Sequence, residues 1–232
     1  WGYSSGGQAA LFAAQDAPDY APELEVIGTA AVAPVSDMAR FAGRASTLPL
    51  TFGYSFLTFG SWADVYDDAD VSTIFTPAVV AELPLLQEAC APTIAPHFAL
   101  TPIDQLRLAD PEATPPWPAL MADNSVGDAP VTGPLLLVQG TEDPIIAPES
   151  TTALSERQCA AGATVELRPV PAATTSCWPR ATRSRCGSPN VRRGSPPRPA
   201  ARPERAAGAV VAWGHDGPRR RPDPRRRLRH GA

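Results

Sequence analysis

Apolar positions form helix-like and strand-like runs at both ends of the first 171 residues, and between those ends the rhythm breaks. Gly6 to Gln15 (GGQAALFAAQ) is small and apolar with strong helix formers in its second half, the composition of a helix buried against a sheet. Asp16, Pro18 and Pro22 are expected to end it. Leu24 to Ala33 (LEVIGTAAVA) is a short apolar run with β-branched residues, closed by Pro34, and predicts a strand buried on both faces. Pro134 to Gln139 (PLLLVQ) predicts a central parallel strand, followed by a loop from Gly140 to Pro148. A helix from Glu149 to Ala160 follows, with Gly162 placed to cap its C-terminus. Thr164 to Val170 alternates Val165 and Leu167 with Glu166 and Arg168, the pattern of a half-exposed strand nearer the sheet edge. Helix and strand in alternation are the rhythm of an α/β fold around a parallel sheet.

Between Ser36 and Pro130 that rhythm stops. Thr76-Pro77 opens a helix toward Cys90, with Thr as N-cap and Pro at the first helical position, kinked at Pro84. Thr101-Pro102 followed by Asp104 repeats the start signal for a helix through Leu108. The pattern divides the chain into a core of residues 1–35 and 131–171, a mainly helical insertion over 36–130, and a tail over 172–232. No apolar run approaches the ~18 residues of a membrane-spanning helix.

Charge sharpens the last boundary. Residues 1–171 carry 5 Arg against 21 acidic residues, whereas residues 172–232 carry 15 Arg against 3. The final 61 residues hold one Leu, three Val and no Ile, Phe, Tyr or Met, so they cannot build a core and read as disordered. So many Arg would bind phosphates non-specifically. They are scattered among Pro, Gly and Ala without aromatic interleaving or a helical stripe, so no specific nucleic-acid partner is implied. Nothing in the pattern sets an oligomeric state.

Gly2-Tyr3-Ser4-Ser5-Gly6 fits G-x-S-x-G, in which a serine sits on a tight turn between a strand and a helix. Glycines on either side are expected because the turn is crowded. Ser4 is the candidate nucleophile, and the N–H of Ser5, at a helix N-terminus, is the candidate oxyanion donor. The later candidate is Gln139-Gly140-Thr141-Glu142-Asp143-Pro144, directly after the apolar strand. A carboxylate there lies on the sheet edge where Ser4 stands and could orient a histidine; Asp143 is the choice and Glu142 the alternative. A base is still needed. His97 precedes the acid in the insertion, while His215 and His230 sit in the Arg/Pro-rich tail with no strand before them. None fits the chain order nucleophile, acid, histidine with its expected context. Cys90 and Cys159 could bridge in an oxidising compartment, or both could be buried free thiols. Trp1 stands directly against the serine motif, so the natural N-terminus is expected upstream, and the lack of a leader here carries no weight on secretion.

The stretch WGYSSGGQAALFAAQDAPDYAPELEVIGTAAVAP, the helical insertion, and LLLVQGTEDPIIAPESTTALSERQCAAGATVELRPVP together resemble the secretory lipase family of α/β-hydrolases over residues 1–171. The resemblance implies the C-terminal part of an α/β-hydrolase parallel sheet with a helical cap acting as a lid. It implies a secreted enzyme of lipid catabolism that hydrolyses triacylglycerols and other carboxylic esters. Ester or lipid would be its substrate, with transient contact with a lipid surface and no metal or cofactor. It would make Ser4 the nucleophile and Asp143 the triad acid. Where the family places its histidine, this sequence reads Ala172-Ala173-Thr174-Thr175, so the triad histidine is absent and expected near Thr174 and Thr175. Phe52, Tyr54, Phe56, Leu57, Phe59 and Trp62 would either line an acyl pocket or pack the insertion's own core. The alternatives in function are another α/β-hydrolase, such as an acyltransferase or peptidase, and a non-catalytic binding protein with a basic tail.

The abrupt change after Pro171 reads as a shift of reading frame. The chain has no Lys and is rich in Ala, Pro, Gly and Arg, which points to GC-rich DNA. Back-translating Ala172 to Arg185 with third codon bases chosen among G and C, and reading from the third base, allows Gly-Asp-His-Glu-Leu-Leu-Ala-Ala-Arg-Asp-Pro-Val-Ala; with other third bases the histidine codon reads Asp, Asn or Tyr. The histidine codon then spans Thr174 and Thr175. Resequencing is expected to find a one- or two-base insertion or deletion near codon 172 and a histidine in the restored frame; an uninterrupted frame would refute this.

Overall fold

The computed structural model describes residues 1–171 and 184–186, which fall in one compact unit. The remaining tail residues, with His215, His230, Thr174 and Thr175, lie outside the described residues. Strand β1 (Gly2–Tyr3) leads through Ser4 into helix α1 (Ser5–Tyr20), and then to β2 (Thr29–Val32). Helices α2 (Met38–Ala45), α3 (Pro49–Ala63), α4 (Pro77–Val80), α5 (Leu85–Glu88), α6 (Ala91–His97) and α7 (Trp117–Asp123) follow, with longer connections before α4 and α7. The sheet resumes with β3 (Leu135–Gly140), helix α8 (Pro148–Ala160), β4 (Val165–Val170) and β5 (Ser184–Cys186).

The sheet order is β1-β2-β3-β4-β5; the first four strands are parallel and β5 runs antiparallel to β4. The register sets Ala31 beside Leu137 and Leu135 beside Val165, so these side chains form one face. Leu11 and Ala14 of α1 and Leu154 of α8 pack on that face, as expected when successive parallel connections share one hand.

Several local expectations change. Helix α1 passes Asp16 and Pro18 to reach Tyr20. Pro18 falls in the last turn, where its missing N–H costs a single ladder bond, and Ala21 N–H still reaches the Ala17 carbonyl at 2.9 Å. The strand expected over 24–33 shrinks to Thr29–Val32 because Leu24 and Ile27 lie exposed in the approach loop. Pro84 does more than kink the helix begun at Pro77; it separates α4 from α5. The Thr101-Pro102 signal yields only a 3-10 turn, Ile103–Gln105. Neither reading of the cysteines holds. Cys90 is exposed and free at the start of α6, and Cys159 on α8 is disulfide-bonded.

The aromatic stretch divides by helical spacing. On α3, Phe52, Phe56 and Phe59 point into the insertion's own core, at most 1% exposed. There Phe52 and Phe56 meet Phe98 at centroid distances of 5.3 and 5.1 Å, and Phe59 meets Trp117 at 5.1 Å. Tyr54, Leu57 and Trp62 are only half-buried and pack at the margin of this core, Trp62 edge-on to Phe59 at 5.6 Å. Truncating this core leaves a large void. Phe56→Ala is expected to cost about 3–5 kcal/mol in urea unfolding followed by circular dichroism.

Candidate active site

Ser4 ends β1 and begins α1 with φ 54° and ψ −124°, a left-handed backbone that L residues rarely adopt and that costs of order 1–3 kcal/mol. Three backbone bonds hold it there. Ser4 N–H donates to the Val32 carbonyl at 2.9 Å, and the Ser4 carbonyl accepts from Gly7 and Gln8 at 2.9 and 3.1 Å. The turn also demands a bare backbone, though not at both expected places. A Cβ on Gly2 would lie 1.8 Å from the Gly6 carbonyl oxygen. A Cβ on Gly7 would come within 3.2 Å of Pro34 Cα, whereas one on Gly6 would meet nothing within 4 Å. The crowded partner of Gly2 is therefore Gly7, which is buried toward the end of β2, and not the exposed Gly6 of the motif. Beside the turn, Ala33 is the other non-glycine residue with positive φ among the described residues, at 43°.

Asp143 follows β3 and is 7% exposed. Its Oδ1 accepts from the backbone N–H groups of Ile145 and Ile146, both at 2.9 Å, closing the loop around the carboxylate. Its Oδ2 lies 3.5 Å from Gln139 Nε2. That amide also donates to the Gly140 and Ile146 carbonyls, while Gln139 Oε1 accepts from the buried Thr151 hydroxyl at 2.7 Å. Glu142 is exposed. The Gln139–Thr151 support was not foreseen from sequence. Its signal was a polar side chain closing an apolar run, where a buried amide needs partners; nothing in the pattern marked Thr151.

Ser4, Ser5 and Asp143 line one cavity of about 700 Å³ at the C-terminal rim of the parallel strands. Its polar end includes Gln8 and Asn124, tied by a 2.7 Å bond from Gln8 Nε2 to the Asn124 carbonyl that joins α1 to the end of α7. Its apolar wall includes Met38, Phe41, Tyr54, Leu57, Trp62 and Ile145. Among the described residues no histidine lines it. His97 is exposed on α6, with Nε2 3.5 Å from Glu82 Oε2.

A parallel sheet, a serine turn after one strand, and helices inserted over the strand ends are the arrangement of the α/β-hydrolases. Solved structures agree. Candida antarctica lipase A in its closed state matches with a TM-score of 0.65 at 18% identity, over 74% of this chain and 43% of that one. A rice cell wall degrading esterase from Xanthomonas oryzae matches with a TM-score of 0.57 at 14% identity, over 72% and 49%. The secretory lipase family profile matches residues 1–175, and the chain belongs to that family. A Mycobacterium tuberculosis protein (strain CDC 1551 / Oshkosh) named a probable inactive lipase is 27% identical over 176 residues, covering 71% of this chain. The chain spans 38% of that relative's length and under half of each solved structure.

The unequal crowding of the glycines gives a direct test. Gly2→Ala is expected to abolish cooperative unfolding or lower Tm by many degrees, because backbone cannot yield to a 1.8 Å contact. Gly6→Ala, in α1 with open space, is expected to be neutral or stabilising by up to about 1 kcal/mol. Equal effects in a thermal melt would refute the assignment.

Proposed function

We propose that the protein is a secreted serine hydrolase of carboxylic esters, a triacylglycerol lipase acting in lipid catabolism, and that the chain as written is catalytically silent. The observation that carries this reading is the strained Ser4 turn sharing one largely apolar cavity with the buried Asp143. Ser4 Oγ would attack the ester carbonyl while a histidine, oriented by Asp143, takes its proton. The Ser5 N–H, in the first turn of α1 where amides have no partner within the helix, would steady the oxyanion together with the helix dipole. The alcohol leaves with the transferred proton, and water then cleaves the acyl–Ser4 ester. The apolar wall contributed by α3 suits an acyl chain, and the insertion would serve as the lid. The disulfide at Cys159 accords with export to an oxidising compartment.

The silence follows from the missing base, which belongs near Thr174 and Thr175, at the end of the family match. The name of the Mycobacterium tuberculosis relative accords with loss of activity within this family. The chain as written is expected to show no turnover of p-nitrophenyl esters above background, and no labelling of Ser4 by a fluorophosphonate at an enzyme-like rate. Restoring the histidine-bearing frame within the full-length protein is expected to give both. Ser4→Ala should then abolish labelling, and Asp143→Asn should lower kcat by about 10³- to 10⁴-fold. Cleavage of peptides but not esters would sink the lipase reading.

A further inference from the structure

Resting on that reading of the cavity, we infer that it prefers esters whose alcohol part keeps a free hydroxyl, as a partly acylated polyol does, and that Gln8 recognises this hydroxyl. Gln8 lines the cavity on α1. Its backbone N–H bonds to the Ser4 carbonyl at 3.1 Å, which keeps it within one helical turn of Ser4.

Neighbours fix which way its amide lies. Gln8 Nε2 is 2.7 Å from the Asn124 carbonyl oxygen and 3.4 Å from Met38 Sδ. A carbonyl can only accept, so the nitrogen must be the atom that faces it. Gln8 Oε1 is the atom left over, and no donor among the described residues meets it. The rest of the polar lining is placed differently. Asn124 uses its side-chain amide on Tyr66 and on the Leu120 carbonyl, and the Ser61 hydroxyl donates to the Leu57 carbonyl at 2.6 Å. Tyr54 and Thr58 of α3 bring hydroxyls with no partner among the described residues, but a hydroxyl can donate as well as accept. An ester oxygen would satisfy either of them; it cannot satisfy Gln8 Oε1.

That asymmetry sets the chemistry of the ligand. A fully acylated polyol carries only acceptors and would leave Oε1 unpaired in a cavity it helps to fill. An alcohol part with a free O–H supplies the donor. Phe41, Leu57 and Ile145, the wall suited to an acyl chain, offer no side-chain hydrogen bond, so the hydroxyl belongs on the alcohol side of the ester. Mono- and diacylglycerols are esters of this class. Hydrolysis of a triacylglycerol would then quicken once its first acyl chain is gone.

The test is a binding titration on the full chain, needing no turnover. Hydroxyethyl hexanoate is compared with fluoroethyl hexanoate, nearly its equal in size but without a donor, and with methyl α-hydroxyhexanoate, whose hydroxyl sits on the acyl side. Binding is read from the NMR shift of the Trp62 indole, assigned with Trp62→Phe. Hydroxyethyl hexanoate is expected to bind about five- to tenfold tighter than either of the others. Gln8→Met keeps the length of the side chain and removes the oxygen. It is expected to bring the hydroxyethyl ester within about twofold of the fluoroethyl ester while the latter's affinity stays unchanged. Equal binding of these two esters by the unaltered chain would overturn the inference, as would tighter binding of methyl α-hydroxyhexanoate. So would a difference that survives Gln8→Met. If that variant does not fold, the three esters on the unaltered chain still decide. Failure of every ester to move Trp62 would instead refute the reading of the cavity as an ester site.

Discussion

The close approach of the Gly6 carbonyl to the bare face of Gly2 is the contact on which the rest of the site depends. A strand two residues long gives way to a helix of sixteen with only Ser4 between them, so the reversal is concentrated in one residue's dihedrals. The same turn is pinned sideways by the Val32 carbonyl and forward by Gly7 and Gln8. Once set, it fixes the entry angle of α1, which brings Leu11 and Ala14 onto the sheet face shared with α8. The conformation of Ser4 and the packing of the core thus share one geometric cause.

How much of this could be read from residues alone varies with the range of the forces involved. The parallel sheet was legible because PLLLVQ and the alternation in Val165–Leu167 record burial directly. The serine turn was legible because its chemistry is local. Which glycines it needs was not, since the crowding at Gly7 comes from Pro34, twenty-seven residues away. The choice of Asp143 over Glu142 is favoured by the Ile145 and Ile146 amides folding back on Oδ1, a three-dimensional fact. Within the insertion, the Thr101-Pro102 start signal over-predicted helix: Leu106 is buried, yet only the 3-10 turn Ile103–Gln105 forms. Helices α2, capped by Asp37, and α3, opened by Pro49, are fixed by apolar faces that share a core.

Ala33 shows how strain spreads beyond the serine. Its N–H bonds to the Val138 carbonyl at 2.8 Å, and its positive φ turns the chain out of β2 beside the cavity. Ser4 and Ala33 therefore place two unfavourable backbone conformations on adjacent strand ends, each held by a hydrogen bond to the next strand. Such a rim is intolerant of β-branched side chains, and the sequence supplies Ser, Ala and Gly there.

Helix α3 keeps two obligations. Phe52, Phe56 and Phe59 lie fully within the helical core, while Tyr54, Leu57 and Thr58 border the cavity, Tyr54 and Leu57 at the core's margin. Changes at the second set touch the margin of the core rather than its centre. Descendants of this sequence could therefore explore ligands of different size by drift along one helical stripe. The central phenylalanines, constrained by packing, would record ancestry rather than diet.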